Sequence, residues 1–570
     1  MNRRGFLRTT GAAALATLLP PPRRAPGFLT QQDPLLQRLA SLSGQYYPYD
    51  HEYFEASERI VFLSPSEASL NIIPKAGMSL DLRLVKAKDG LSIDAGFSTG
   101  FTAVDDTIDI PLVGLLWQPE LAYRLEYRES GKGSWKSTPE RRVKTPFSYR
   151  QNGAMEIILI SDDHTYDDAD MPGRTVDNPL LREARLSGDY INMYLNELQY
   201  DPNFIPDPTI DSGKMMSGFC LASAVHQVLK NERPDFILLL GDSTGIGAGY
   251  KWKGLGLKDP NSGLTDQDLD DYAKLFWLRM RKMYSALTPQ IPIYLVQGNH
   301  DGESGYDAAR TPAKKYRKKY FPQPGYGQGG STDENYFPLF WGGEFYNGRA
   351  PLFLILDNES YNSAGLSPRR PEDWTLGSQQ KAWLKTMLAY DTEWKFAFFH
   401  HVLGGWPRGT NEEATDYAYG RGPLFSYEDY QGYCEDPNRV EQVELTKLMM
   451  DNGLNAVFYG HDHIFHPRRI LGGSGRMIHG ICSGSSKHKG ELEWYKGLLW
   501  NRHYGTYGRY WTESAAASPS TAFWGPSGYT KITLRPGQAK VEYKRAAFNH
   551  PFTNIPPSLI PGDIIHSIIL

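Results

Sequence analysis

Five short apolar runs in this chain each end in Asp, Asn or His, and that recurrence constrains the fold more than any other feature. Ile157–Ser161 leads into Asp162-Asp163-His164, and Phe236–Leu240 into Gly241-Asp242. Ile293–Gln297 leads into Gly298-Asn299-His300-Asp301, Phe396–Phe399 into His400-His401, and Ala456–Tyr459 into Gly460-His461-Asp462-His463. Apolar runs of this length, bounded by glycine and polar breaks, suit buried strands better than helices. Further runs at Leu352–Leu356 and Met477–Cys482, with a helical stretch at Ser217–Arg233 stopping before Pro234, complete an alternation of strand and helix. The alternation predicts an α/β or α+β sandwich and excludes a repeat array or a coiled coil. In open α/β sheets the carboxyl edge of the strands is where ligands bind, so the five ends converge on one candidate site.

The residue types at those ends agree in their chemistry. Asp, Asn and His offer oxygen and imidazole ligands suited to zinc, iron, manganese or cobalt. Only three cysteines occur, Cys220, Cys434 and Cys482, with no C-x-x-C pair, which argues against a structural zinc site or a disulfide framework. Two cations held about 3.5–4 Å apart need a shared carboxylate, and Asp242, alone on its strand end, is the natural bridge. Asp162/His164 and His461/His463 alternate along extended segments, so each pair points one way. A single such motif means little: with 14 His in 570 residues an H-x-H pair arises by chance about 0.3 times. Five strand ends together are a different matter.

Composition narrows the remaining classes. Lys and Arg number 61 against 65 Asp and Glu, a net charge of −4, which lacks the basic footprint of a general nucleic-acid binder. Charged residues at 22% and hydrophobic ones at 40% exclude wholesale disorder. No apolar run reaches the roughly 18–20 residues of a membrane span, so no stable span is expected. Asn2-Arg3-Arg4-Gly5-Phe6-Leu7-Arg8, followed by the weakly apolar Gly11–Leu19, resembles a twin-arginine signal. It predicts passage through the twin-arginine export machinery and a periplasmic or secreted location. The expected division is a signal segment at 1–30, a lead-in at 31–58, a β-sandwich at 59–149, a catalytic domain at 150–548 and a tail at 549–570.

The β-sandwich rests on period-two alternation, as in Leu80, Leu82 and Leu84 or Leu121, Tyr123, Leu125 and Tyr127. Tyr529–Leu534 and Ala539–Tyr543 flank Arg535-Pro536-Gly537 and predict a hairpin, while the proline-broken Ile555–Leu570 is expected to dock on the surface. Long inserts at about 165–216, 404–436 and 485–525 are the candidates for choosing a substrate. The first carries the acidic Asp167, Asp168 and Asp170. The third carries many Trp and Tyr, which either stack a ligand or pack among themselves.

Asp162-x-His164, Gly241-Asp242, Gly298-Asn299-His300-Asp301, His400 and Gly460-His461-x-His463 together resemble the calcineurin-like metallophosphoesterase superfamily, over residues 162–463. The resemblance implies a four-layer α/β/β/α sandwich, here preceded by a small all-β domain of immunoglobulin or fibronectin III type. It implies a dinuclear centre of Fe, Mn or Zn ions. Asp162, His164 and His463 would hold one cation, Asp242 would bridge, and Asn299, His400 and His461 would complete the second, with His401 an alternative to His400.

The leading β-domain also resembles that of purple acid phosphatases and of alkaline phosphatase D-like enzymes. Two departures stand out: purple acid phosphatases have a ligating Tyr where this chain has Gly245, and Gly where it has His164. A coloured iron–tyrosinate centre is therefore not expected. The implied activity is exported hydrolysis of small-molecule phosphate monoesters or diesters by a metal-bridging hydroxide, with no extended nucleic acid as partner. The alternatives are a nucleotide or phospholipid-headgroup phosphodiesterase, and a non-catalytic metal- or phosphate-binding protein. His300 is expected to protonate the leaving oxygen or bind phosphate; Asp301 orients its imidazole or else serves as a cap.

Overall fold

The computed structural model describes residues 48–86, 107–112, 115, 118–166, 186–201, 216–249, 252, 255, 257–258, 263–305, 307–324, 330–342, 350–361, 375–401, 441–461, 463, 465–471, 476–486, 504–507, 510–514, 527–546 and 561–570. The twin-arginine motif, Cys434, the acidic run Asp167–Asp170, the 404–436 insert and most of 485–525 lie outside the described residues.

The alternating segment forms two small antiparallel sheets. β1 (Arg59–Ser64), β2 (Glu67–Ile72) and β4 (Ile108–Leu112) make one; β3 (Leu80–Lys86), β5 (Glu120–Glu129), β6 (Lys136–Ser137) and β7 (Arg141–Lys144) make the other. Along β5 the period-two pattern becomes burial: Leu121, Tyr123, Leu125 and Tyr127 face inward and their neighbours are half-buried. A short helix, α1 (Phe147–Asn152), then leads into β8 (Met155–Ile160).

Each of the seven apolar runs is a strand. β8, β9 (Phe236–Leu239) and β10 (Ile293–Leu295) pair in parallel. The hairpin of β19 (Gly528–Arg535) and β20 (Gln538–Arg545) completes that sheet antiparallel to β8. Residues 564–569, within the segment expected as a docked tail, are instead a strand, β21 (Ile564–Ile569), which pairs with β20 and ends the sheet.

The second sheet runs β11 (Phe337–Phe340), β12 (Leu352–Ile355), β13 (Lys395–Phe398), β14 (Ala456–Tyr459), β16 (Met477–Ser483), β15 (Phe465–Leu471), β18 (Tyr510–Ser514) and β17 (Tyr504–Tyr507). β12, β13, β14 and β16 are mutually parallel.

Alternate strand residues separate into different cores. Ile157, Leu159, Phe236 and Leu238 share one cluster with Phe353, Phe396, Phe398 and Phe458, so the two sheets meet face to face. Phe236 meets Phe353 edge-on across that gap, with ring centroids 5.3 Å apart. The opposite face, Ile158, Ile160, Ile237 and Leu239, packs on α2 (Asp189–Tyr200), α3 (Met216–Asn231), α4 (Asp266–Met283) and α5 (Arg310–Tyr320). Leu354, Ala397 and Val457 likewise pack on α6 (Gly377–Leu388) and α7 (Glu441–Asp451). The result is an α/β sandwich whose strands are apolar on both faces, which is why they read as unbroken hydrophobic runs.

Two buried arginines bolt the small sheets to this sandwich. Arg281 on α4 donates to the carbonyls of Ser57, Asn71 and Tyr320, and Arg59 on β1 donates to those of Ile293 and Pro322. Burial holds both guanidinium groups below their usual pKa. Five carbonyl acceptors offset the cost of desolvating the two cations. Cys220 and Cys482 are buried thiols that form no disulfide. Among the described residues no helix is long and apolar enough to cross a membrane.

Candidate metal centre

The strand ends of β8, β9, β13 and β14 lie side by side across the two sheets, and their turns are unusually tight. Six non-glycine residues among those described have positive φ, and five of them are Asp162 (49°), His164 (45°), Asp242 (58°), His461 (69°) and His463 (55°). A left-handed conformation costs an L-residue roughly 1–2 kcal/mol and persists only where surrounding contacts enforce it. The enforcing contacts are present: Asp162 accepts from the backbone N–H of His461, and Asp301 from that of Asp242. The flanking glycines are sterically required. A Cβ on Gly298 would run into Asp242, and one on Gly460 into Ser161 Oγ and Asp162 Oδ2.

Two groups of donor atoms result. In the first, His463 Nε2 lies 3.1 Å from His164 Nε2 and 3.4 Å from Asp162 Oδ1, with His164 Nε2 3.8 Å from that same oxygen. In the second, Asn299 Oδ1 lies 3.1 Å from both His400 Nε2 and His461 Nδ1. Asp242 joins them: its Oδ2 is 3.4 Å from His164 Nε2 and 3.4 Å from His400 Nε2. Ligands about 2.1 Å from one cation stand about 3.0 Å apart in an octahedral arrangement and about 3.4 Å apart in a tetrahedral one. The observed separations fall at or near those edges, so the residues fit two cations sharing the Asp242 carboxylate. Asp162, His164 and His463, and Asp242, His400 and His461, each have ligand atoms within 4.8 Å of one another.

The electrostatics suit cation binding. Burial disfavours the ionised form of Asp162, yet the imidazoles of His164 and His463 outweigh it and hold the carboxyl below its ordinary pKa. Asp242 is likewise held well below, against burial, by His400, His300 and His164. Burial also works against a charged His400, but the Asp242 carboxylate pushes its pKa up to about 10, so a cation at Nε2 would displace a proton held there. Burial and the neighbouring His400 push His461 well down, leaving it a neutral donor. His400 Nδ1 donates to the Leu240 carbonyl at 2.7 Å, which turns Nε2 toward Asp242.

His401, the alternative to His400, points elsewhere. It is buried against Glu359, with Nδ1 2.5 Å from Oε1, and its ring lies 4.5 Å from that of His461. It belongs to neither donor group. His300 sits at the edge of the site, its Nε2 3.9 Å from Asp242 Oδ2 and its backbone N–H donating to Asp242 Oδ1 at 2.8 Å.

The orienting role expected of Asp301 is not what its contacts support. Its carboxylate accepts the backbone N–H groups of Asp242, Ser243, Thr244 and Gly298 at 2.9–3.0 Å, together with the Thr244 hydroxyl. It therefore clips the β9 and β10 turns to each other, its charge spent on main-chain amides and not on the His300 ring. Asp163 faces away from the donor groups, accepting from the Tyr284 hydroxyl at 2.8 Å, and burial pushes its pKa up to about 6.

Three neighbours of the site were absent from the sequence reading. Asn358 and Glu359 follow β12; Asn358 accepts from the His400 N–H at 3.3 Å, and Glu359 holds His401 and accepts from the Ser304 hydroxyl. Their signal was present, since Leu352–Leu356 is one more apolar run ending in Asp357-Asn358-Glu359. The third is Tyr166, whose hydroxyl lies 3.1 Å from His164 Nδ1.

Comparison with known proteins agrees with this geometry. The family model described as calcineurin-like phosphoesterase matches residues 219–465. The span contains Asp242, Asn299, His400, His461 and His463, and the chain carries a domain of that superfamily. No curated protein matches the chain. Among solved structures, the β-glucuronidase of Faecalibacterium prausnitzii aligns at 9% identity over 71% of this chain and 58% of its own, with a TM-score of 0.20. The β-glucuronidase of Bifidobacterium dentium, complexed with coumarin-3-O-glucuronide, aligns at 11% identity over 69% and 57%, with a TM-score of 0.18. The chain thus spans 58% and 57% of the lengths of these two proteins, and likeness at such scores carries no argument.

Proposed function

We propose that this protein is a metal-dependent phosphoric ester hydrolase, acting on small-molecule phosphate monoesters or diesters with two cations of the Fe, Mn or Zn type. The observation that carries the reading is the position of Asp242 Oδ2, 3.4 Å from an imidazole nitrogen of each donor group. Two cations so placed would supply Lewis-acid stabilisation of phosphoryl charge and a water-derived nucleophile near neutral pH.

The chain's own residues supply the rest. Asp162, His164 and His463 on one side, and Asn299, His400 and His461 on the other, fix where the phosphate oxygens sit. His300 borders the same space and is placed to donate a proton to the departing alcohol oxygen. Asp301 keeps the two turns in register.

The same reading takes the sandwich as four layers, the sheets at 59–149 as an immunoglobulin or fibronectin III-like module, and the twin-arginine motif as an address for folded, metal-loaded export. The test is hydrolysis of an aryl phosphate monoester and a bis-aryl phosphate diester by purified protein supplied with Mn, Fe or Zn. A metal-dependent rate on either supports the proposal, and the ratio assigns monoester or diester preference. No hydrolysis of either by protein holding two cations would refute it in favour of a binding protein.

A further inference from the structure

Tyr166 is buried beside the first donor group and no motif marks it. Its hydroxyl lies 3.1 Å from His164 Nδ1, and its ring lies against those of His164 and His300, with centroids 5.0 Å and 5.8 Å away. The space for that ring comes from across the site. Gly245, with φ of +81°, lies so close that a Cβ there would stand 2.6 Å from Tyr166 Cδ1 and 2.7 Å from its Cβ. Gly245 is in the turn that follows Asp242, so Tyr166 is wedged between the turn of the bridging carboxylate and the imidazole of a candidate ligand.

A neutral imidazole has one N–H and one lone pair, and which nitrogen carries the proton is set by the partner of the other. His164 presents Nε2 to Asp242 and His463, so its lone pair belongs on Nε2 and its proton on Nδ1. That proton needs an acceptor, and the Tyr166 oxygen is at the required distance. We infer that Tyr166 is a positioning residue which, seated on Gly245, holds His164 in the tautomer and ring orientation that ligate a cation. The inference rests on the metal-binding reading of His164 given above.

The test is cation binding by metal-stripped full-length protein, titrated with Zn against a chromophoric chelator, for wild type, Tyr166→Phe, His164→Ala and the double variant. Tyr166→Phe removes one oxygen atom and keeps the ring on Gly245. It is expected to weaken one of two sites by about 10–100-fold, the usual effect of losing a partner behind a ligand, and to leave the other site unchanged. In the His164→Ala background Tyr166→Phe should add nothing, because a residue acting through His164 has nothing left to act on.

Gly245→Ala, which displaces the ring, should reproduce the Tyr166→Phe loss. Wild-type affinity in Tyr166→Phe, or an equal loss with and without His164, overturns the inference, the second outcome marking a purely structural ring. Wild-type protein taking up no pair of cations, or His164→Ala binding as wild type does, overturns the metal-centre reading itself.

Discussion

Asp301→Asn tests whether the site is assembled by its turns or by its acid–base pair. The wild-type carboxylate divides its work: Oδ1 accepts from Ser243 and Thr244, and Oδ2 from Asp242 and Gly298. An amide keeps one acceptor oxygen and turns an NH2 toward the other pair of N–H groups, whichever way it is flipped. Two charge-assisted bonds are lost, at about 1.5–3 kcal/mol each. Part of that loss is offset, because burial and the nearby Asp242 already raise the Asp301 pKa, and the variant removes that buried charge. The net expectation is a destabilisation on the order of 3 kcal/mol, which for a chain of this size is a fall in Tm of roughly 2–4 °C.

Calorimetric melting of the metal-stripped protein measures it, and elemental analysis after reloading reads the second consequence. Asp242 and Asn299 sit on the two turns Asp301 joins, so both cations should bind more weakly. An unchanged Tm and a full complement of two cations, with a rate loss confined to esters of poor leaving groups, would refute the clip. It would restore Asp301 to the His300 ring.

Three further outcomes follow from the same geometry. Asp242→Asn should reduce bound metal from two ions to one or none by elemental analysis, because the carboxylate that lies near both His164 and His400 loses its charge. His300→Ala should leave metal content intact and slow esters of poorly departing alcohols by about 10²–10⁴-fold, while esters of acidic phenols change far less. Asp307 has its pKa pushed up to about 7 by burial, helped by Asp301 and Glu303. Its folded form therefore favours the proton more than the unfolded chain does. The stability this contributes is complete below the ordinary value of 3.8 and is lost as pH rises through about 7. The Tm advantage of Asp307→Asn over wild type should accordingly grow from pH 5 to pH 8, and a constant difference would contradict the assignment.

The strand ends were legible because two-sided burial leaves a plain mark. Phe236–Leu239 and Ala456–Tyr459 face a helix layer on one side and the opposite sheet on the other, so polarity can appear only where each strand stops. β21 was not legible, because Ile564–Ile569 lies beyond several prolines and its partner β20 already had a hairpin mate. Tyr166 was hidden for another reason: its place depends on the absence of a side chain at Gly245, a pairing that no local pattern displays. Asp301 could be read two ways, since a carboxylate's role is decided by whichever N–H groups the fold brings to it.

The backbone of the ligands was hidden most completely. Asp and His tolerate positive φ better than most residues, but that tolerance singles out no position, and Asp162, His164, Asp242, His461 and His463 all adopt it. Turns of that kind persist only when neighbours over-determine them. Here the neighbours are amide–carboxylate bonds between separate strand ends, from His461 to Asp162 and from Asp242 and Ser243 to Asp301. The turns of Asp162 and Asp242 are thus each tied to another strand end, so protein contacts help to position the donor groups. A site built this way loses its geometry when a clip is cut, even if every ligand remains.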